Sequence, residues 1–350
     1  MKRKSLCWLV SALLFLSLAG FSGWLLILQQ GSQNIPFKPF IGNKAANVNA
    51  LKEKGLPFSF LVVGDTHSSN TAKTLIEMAL KEGDSSFMII LGDFVNRPDL
   101  WNHRFFLTEM GKEIKPSIPV FLVPGNHDID YASKIKKPGR RVTPEVYESF
   151  YGARNFYFIF NHCLFILCGI NERNPAGYLD FLRKTLSREG EGKSHIFIFM
   201  HHPPRGVGMA ASYALPHDED FYSLLGLHKV TACFFGDYHA YWRGQTRETN
   251  LIVSGGGGGR LKKWQPKWGK FHHIMKITID ENRVNEGLMV LPGEVRHLSR
   301  GLEKWMFINL VPTLENKNWV IYLLLIVFSF WAIYSFVKFF NSLKQEKGDQ

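Results

Sequence analysis

Five short polar clusters hold the residues of this sequence that are best suited to binding metal ions. Each cluster contains Asp, Asn or His and comes directly after an apolar run. The clusters are Asp65-Thr66-His67, Gly92-Asp93, Gly125-Asn126-His127-Asp128, His201-His202-Pro203-Pro204 and Gly236-Asp237-Tyr238-His239. Carboxylate and amide oxygens mixed with imidazole nitrogens suit divalent ions such as Zn, Mn and Fe. The donors are numerous enough for two ions, with Asp93 as the natural bridge between them.

The apolar runs before the clusters are rich in Val, Ile and Phe, which is typical of buried strands. The predicted strands are Phe58–Val63, Phe87–Leu91, Val120–Val123, His195–Met200 and Thr231–Phe235. In open α/β sheets, ligands bind beyond the carboxyl ends of such strands. We therefore expect the polar clusters to meet in one crevice.

Helices are expected between these strands, and further strands are expected after them. Apolar spacing predicts helices over Thr71–Lys81, Tyr178–Arg188 and Asp218–Leu227, with Asn70 and Asn174 as caps of the first two. The further predicted strands are a pair within Asn155–Ile170, the segment Leu251–Ser254, and a pair formed by Phe271–Ile279 and Arg283–Val290. The five-glycine run at 255–259 predicts a tight loop near the site.

In their order and spacing, the five clusters resemble the motifs of the calcineurin-like metallophosphoesterases, which read D-x-H, G-D, G-N-H-[DE], H-x-P and G-H-x-H. The resemblance covers roughly residues 57–292. It implies an α/β fold, a two-sheet αββα sandwich of the metallophosphoesterase type. It also implies a metal-dependent hydrolase that acts on a phosphate mono- or diester.

The same resemblance assigns roles residue by residue. It implies two divalent ions (Mn, Fe or Zn) and the metal ligands Asp65, His67, Asp93, Asn126, His201, Asp237 and His239. A metal ion lowers the pKa of bound water to roughly 7, which supplies a hydroxide nucleophile at neutral pH. His127 matches the family residue that gives a proton to the leaving oxygen. Arg97 and His202 are candidates for substrate contact, although a surface ion pair and a packing role, respectively, are open alternatives.

Two positions depart from the family pattern. Asp237 stands where the family has the first His of G-H-x-H, so it either binds a harder ion such as Mn or Fe or falls short of the second metal. Asn96 stands where many relatives have an Asp that orients the catalytic His. Asn can accept a hydrogen bond but cannot stabilise an imidazolium by charge, which weakens the expected acid role of His127. These departures keep open a second hypothesis, a catalytically weak or inactive member of the fold that serves as a binding or scaffold protein.

Two long uncharged segments, 6–28 and 319–337, are each long enough to cross a bilayer as a helix. A cleaved signal peptide is the alternative for the first and a buried core helix for the second. The predicted organisation is an N-terminal anchor (1–28), a linker (29–55), the metallophosphoesterase domain (56–300), a juxtamembrane segment (301–318), a transmembrane helix (319–340) and a polar tail (341–350).

Basic residues next to these segments set the expected topology. Lys2, Arg3 and Lys4 mark the N-terminus as cytoplasmic, and Lys338 and Lys344 argue the same for the C-terminus. A two-pass membrane protein with its catalytic domain on the extracytoplasmic side is therefore predicted.

The formal net charge is +12, and two basic segments contribute to it. The first contains Lys134, Lys136, Lys137, Arg140 and Arg141, and the second contains Arg260, Lys262, Lys263, Lys267 and Lys270 with Trp264 and Trp268 between them. They are either solvated loops or contacts for membrane lipid or a lipid-linked substrate. No nucleic-acid partner is expected.

Overall fold

The structure, a computed structural model, describes residues 3–33, 40–52, 55–170, 174–208, 214–262, 266–281, 283–315 and 317–348. Lys263 and Trp264 of the second basic segment, and part of the predicted linker, lie outside these ranges. The chain divides into two compact units. Residues 36–301 form one unit, and residues 1–35 with 302–350 form the other.

The unit at 36–301 is built on two mixed sheets. Its strands are β1 (Phe58–Val63), β2 (Ser85–Ile90), β3 (Val120–Leu122), β4 (Phe156–Phe160), β5 (Cys163–Cys168), β6 (His195–Met200), β7 (Ala232–Phe235), β8 (Tyr241–Thr246), β9 (Thr249–Ser254), β10 (His272–Ile279) and β11 (Val284–Leu291). One sheet has the order β11-β10-β1-β2-β3 and the other the order β4-β5-β6-β7-β9-β8. The strands that precede the polar clusters, β1, β2 and β3 in one sheet and β6 and β7 in the other, are parallel to one another within each sheet. Their carboxyl ends therefore share an edge.

The two sheets pack face to face through a core of aromatic rings. Phe60 on β1 stacks on Phe87 with ring centroids 5.2 Å apart, and it meets Phe165 of the other sheet edge-on at 5.3 Å. The side chains of β5 point alternately to the two faces of its sheet. Those of Cys163, Phe165 and Leu167 face this core. Those of Leu164, Ile166 and Cys168 face the helices on the outside. Truncating one such buried Phe costs about 3–5 kcal/mol. The predicted two-sheet sandwich is confirmed.

The helices are α1 (Arg3–Gln33), α2 (Ala45–Asn49), α3 (Asn70–Lys81), α4 (Leu100–Thr108), α5 (Pro144–Tyr151), α6 (Gly177–Glu189), α7 (Asp218–Leu227), α8 (Leu298–Trp305), α9 (Val311–Thr313) and α10 (Asn318–Gly348). A π-helical segment, Glu109–Ile114, continues α4, and another, Met306–Leu310, follows α8. Short 3-10 turns lie at Pro138–Arg140 and Lys267–Gly269.

The helix caps differ from the predicted ones. The Ser69 hydroxyl, not the Asn70 side chain, accepts the hydrogen bond from the backbone N–H of Ala72 and caps α3. Helix α6 begins after Ala176 without a side-chain cap, so the prediction of Asn174 as its cap was wrong. Helix α7 has the predicted bounds. The helices α4 and α5 were not predicted, although Asp99 and Thr143 cap them.

Residues 40–52, which were predicted as linker, pair with the first sheet. The backbone N–H of Gly42 donates to the carbonyl of Val120 at 2.8 Å. The Asn43 side chain donates to the carbonyl of Leu122 at 2.7 Å and accepts from the N–H of the same residue at 3.0 Å. These bonds satisfy backbone groups at the edge of β3 that would otherwise be unpaired.

The second unit contains the helices α1 and α10, which are both long and apolar enough to cross a membrane. Aromatic pairs join them, with Trp8 edge-on to Tyr334 at 6.1 Å and Phe15 stacked on Trp331 at 6.0 Å between ring centroids. Both helices extend beyond the predicted spans because their polar ends remain helical.

Candidate metal centre

The loops that follow five of the strands meet at one end of the two sheets, and backbone hydrogen bonds tie them together. The N–H of Asp65 donates to the carbonyl of Gly92 at 3.1 Å, and the N–H of His67 donates to that of Asp93 at 3.0 Å. The N–H of Gly236 donates to the carbonyl of His201 at 2.9 Å. Each polar cluster is thereby held by its neighbour.

One group of side chains could hold a metal ion, namely Asp65, His67, Asp93 and His239, whose nearest ligand atoms all lie within 4.8 Å of one another. His239 donates its Nδ1–H to the carbonyl of Arg260 at 2.9 Å, which leaves Nε2 as the acceptor, 3.6 Å from Oδ1 of Asp65. Both carboxylate oxygens of Asp65 are buried and accept no hydrogen bond within the described part of the chain. Buried carboxylate oxygens need a partner, and a cation suits them.

A second group adjoins the first through Asp93. The Nε2 atom of His201 lies 3.4 Å from Oδ1 of Asp93 and 3.2 Å from Oδ1 of Asn126. The Nδ1–H of His201 donates to the carbonyl of Leu91 at 2.7 Å. This bond fixes the tautomer and directs Nε2 toward the oxygens, as is usual for a histidine that binds a metal. Asp93 thus faces ligand candidates of both groups.

Asp237, the departure from the family pattern, lies in this second group. Ligand atoms of His201, His202 and Asp237 are within 4.8 Å of one another, and the Asp237 side chain is buried. Lys262 donates to the backbone carbonyl of Asp237 at 2.8 Å, which holds the loop in place. The Nδ1 atom of His202 is buried and makes no hydrogen bond to any described residue. His202 therefore has an uncommitted ring nitrogen beside the group.

The electrostatics of the centre favour bound positive charge. Burial raises the pKa of Asp65 well above its ordinary value, and the nearby Asp93 adds to that effect. Burial by itself lowers the pKa of His201, yet Asp93 and Asp65 raise it well above its usual range. Burial lowers the pKa of His202 and of His239 to about 4, so both are neutral at pH 7, the form that binds metals.

His127 lies at the open side of the centre. Its Nδ1–H donates to the backbone carbonyl of Asn96 at 2.7 Å, and its Nε2 lies 3.9 Å from Oδ2 of Asp93. The side chain is 44% exposed. The main-chain carbonyl of Asn96, not its side chain, orients the ring. The Asn96 side chain brings no negative charge to an imidazolium, so the acid role of His127 stays a prediction.

Arg97 follows Asn96 and lies at the surface. Its side chain is 66% exposed, and its Nε lies 4.0 Å from Oδ2 of Asp99, the residue that caps α4. The exposed guanidinium makes this long surface ion pair, and contact with a substrate stays a prediction.

Several candidate ligands have left-handed backbone conformations, which non-glycine residues rarely adopt. The φ angles are 55° for Asp65, 48° for His67, 50° for Asp93, 64° for Asp237 and 47° for His239. Such a conformation costs roughly 1–2 kcal/mol per residue and is concentrated at functional sites. The loops hold these side chains in positions that an unconstrained chain would avoid.

Asp128 supports the centre, a role that was not predicted from the sequence. Its buried carboxylate accepts hydrogen bonds from the backbone N–H groups of Gly125 at 2.7 Å, Asp93 at 2.8 Å and Val95 at 3.3 Å. Burial, with a further contribution from Asp93, raises the pKa of Asp128 to about 8. The last position of the G-N-H-[DE] motif was the signal that could have identified it.

The glycine run at 255–259 packs directly behind the first ligand group. A Cβ atom on Gly255 would lie 2.6 Å from Oδ2 of Asp65 and 2.9 Å from the backbone nitrogen of His239. A Cβ on Gly259 would lie 2.6 Å from Cδ2 of His67. These glycines allow close approach of the backbone to the ligands.

The model of the calcineurin-like phosphoesterase family matches residues 58–241, which include all five polar clusters, and confirms the resemblance. A purple acid phosphatase from yellow lupin (Lupinus luteus) seeds is similar in structure, with 16% identity and a TM-score of 0.51 over 68% of this chain and 52% of that one. The chain thus spans about half the length of the lupin protein. A dimetal phosphatase from Danio rerio is similar with 14% identity and a TM-score of 0.48 over 68% of this chain and 97% of that one. No curated protein sequence matches the chain.

Replacing Gly255 by Ala is expected to weaken metal binding by about 10- to 100-fold, because the added methyl group displaces Asp65 or His239. The measurement is a calorimetric titration of the metal-free full chain with Mn²⁺. Gly139→Ala is the matched control, since a Cβ there meets no atom within 4 Å. Equal Mn²⁺ affinities of the two variants would show that this packing does not position the ligands.

Proposed function

Because the chain belongs to the calcineurin-like phosphoesterase family, we propose that it hydrolyses a phosphate mono- or diester with two divalent metal ions as cofactors. The observation that carries this proposal is the pair of ligand groups that meet at Asp93. Asp93 lies 3.4 Å from Nε2 of His201 and shares the first group with Asp65, whose buried oxygens have no hydrogen-bond donor among described residues.

The residues present fit two metal ions. The first would be held by Asp65, His67, Asp93 and His239, and the second by Asp93, Asn126, His201 and Asp237. When bound, such ions supply a nucleophile from water and neutralise charge on the phosphate. Asp237 adds a hard, charged oxygen in place of an imidazole, which favours Mn or Fe over Zn at the second position.

The protein's own residues would contact the ester and give a proton to its leaving oxygen. The Asn96 carbonyl fixes the His127 ring through Nδ1, and Nε2 lies 3.9 Å from Oδ2 of Asp93 on a side chain that is 44% exposed. His127 is thus placed to give a proton to the leaving oxygen through Nε2. His202 has a buried, uncommitted Nδ1 and would contact the substrate or serve as a further ligand beside Asp237.

The alternative, an inactive binding or scaffold protein, depended on Asp237 and Asn96. Asp237 is buried with its carboxylate among His201 and His202, and His127 is oriented without the Asn96 side chain. Both observations favour the enzyme.

The activity test uses the full chain in detergent with Mn²⁺ and two aryl phosphates, a monoester and a diester. We expect hydrolysis of at least one, and we expect Asp93→Ala to lower kcat/KM by about 10³-fold or more, since it removes a ligand of both groups. Asp180→Ala, an exposed carboxylate on α6, is the control and should leave the rate unchanged. A wild-type chain that binds two metals but hydrolyses neither ester would favour the scaffold.

We further propose that α1 and α10 cross a membrane and that residues 36–301 lie on its extracytoplasmic side. Both helices are apolar over a membrane-spanning length, and large apolar side chains such as Leu14, Ile27, Ile326 and Phe330 are exposed on them. Lys2, Arg3 and Lys4 precede the first span, and Lys338 and Lys344 lie at the end of the second. Basic residues favour the cytoplasmic side, so they support this orientation.

Among phosphate esters, we propose a lipid-linked one as the substrate. Trp268 is 62% exposed in the turn Lys267–Gly269, so an aromatic ring and basic groups are available to a head group. In the first basic segment Arg141 pairs with Asp130 at 3.1 Å, while Lys134, Lys136 and Lys137 are exposed. Comparing phospholipid and aryl ester rates in the Mn²⁺ assay tests this proposal, and an equal or lower rate on every phospholipid would contradict it.

Orientation can be measured by labelling intact cells with a membrane-impermeant maleimide in a Cys7→Ser background. A cysteine replacing the exposed Lys134 should react before lysis, and one replacing Lys344 should react only after lysis, because the two positions lie on opposite sides of the membrane. The reverse pattern would contradict the orientation. Release of the chain by alkaline carbonate would contradict the membrane spans.

A further inference from the structure

The helix α8 has an exposed apolar stripe. Leu298, Leu302 and Trp305 follow a spacing of four and three residues, which places them on one face of a helix. Their exposed fractions are 91%, 52% and 55%. Gly301 lies on the same face and is also exposed.

The polar face of α8 is turned toward the protein. Arg300 is largely buried, and it bonds to Glu109, to Glu113 at 3.3 Å and to Oδ1 of Asn70 at 2.6 Å. Glu303 and Lys304, on the same side, are only partly exposed. A helix on the surface of a soluble domain has the opposite arrangement, with its apolar face inward and its charges in water.

The position of α8 in the sequence identifies what covers the stripe. The twelve residues 306–317 separate α8 from α10, one of the two helices that are apolar enough to span a membrane. Leu and Trp on one face with Arg and Lys on the other are typical of helices that lie in the membrane interface. Trp is also enriched at the level of the lipid head groups.

We propose that α8 lies flat in the bilayer interface, with Leu298, Leu302 and Trp305 in contact with lipid. Arg300 at the same time fixes the helix to Asn70 and Glu109 of the 36–301 unit. The helix thereby acts as a lipid-binding foot of the chain. This inference rests on the proposed membrane spans and is independent of the proposed hydrolysis.

The test uses the full chain in phosphatidylcholine–phosphatidylglycerol vesicles, with Cys7→Ser and one environment-sensitive NBD label per variant. Leu302→Cys reports on the stripe. Asp180→Cys on α6 is the control, because its charged side chain is 68% exposed and lies outside α8. Val327→Cys on α10 reports on the membrane span. Nitroxide lipids quench labels in the bilayer, and iodide quenches labels in water.

We expect nitroxide lipids to quench the label at Leu302→Cys about as strongly as the label at Val327→Cys, and iodide to quench mainly the label at Asp180→Cys. Iodide quenching at Leu302→Cys equal to that at Asp180→Cys would overturn the inference. Protection of Leu302→Cys from both quenchers would also overturn it, because a protein surface, such as a second copy of the chain, would then cover the stripe.

The label on α10 separates the two possible failures. If nitroxide lipids quench Val327→Cys but not Leu302→Cys, the membrane spans stand and the assignment of α8 is wrong. If neither label is quenched, the membrane spans themselves are refuted, together with the inference that rests on them.

Discussion

Two buried carboxylates, Asp65 and Asp93, impose the constraint on which the rest of the site depends. Both side chains are removed from water at the ends of parallel strands, where like charges repel and an unpaired charge is costly. Histidines lie beside them, and in His201 and His239 one ring nitrogen is fixed by a main-chain carbonyl while the other faces a carboxylate. Divalent cations between the carboxylates and the imidazoles would offset the cost of burying these charges. The same cations would neutralise the charge of a phosphate ester, which links the fold to phosphate-ester chemistry.

The sheets and loops satisfy that constraint in different ways. The aromatic core around Phe60 fixes the two sheets against each other, so the strand ends meet at a defined place. The loops then hold strained ligand conformations through backbone hydrogen bonds, through the Asp128 carboxylate and through glycines that admit the close approach. Stability is therefore concentrated in the strands, while the loops carry the strain that positions the ligands.

The sequence predicted the strands and the order of ligands because apolar runs that end in Asp, Asn or His are a strong local signal. It did not predict β8, an edge strand whose residues are alternately half-buried and exposed and which pairs only with β9. Ser69 and Asn70 are both good capping residues, so local sequence could not decide between them. The orientation of His127 by the Asn96 carbonyl could not be predicted either, because every residue type has a main-chain carbonyl.

The most direct test of the central claim is the anomalous scattering of manganese in crystals of the full chain soaked with Mn²⁺. The account predicts two Mn²⁺ ions roughly 3.5–4 Å apart, with the Asp93 carboxylate between them and Asp237 on the second ion. A single ion, or two ions that do not share Asp93, would contradict it.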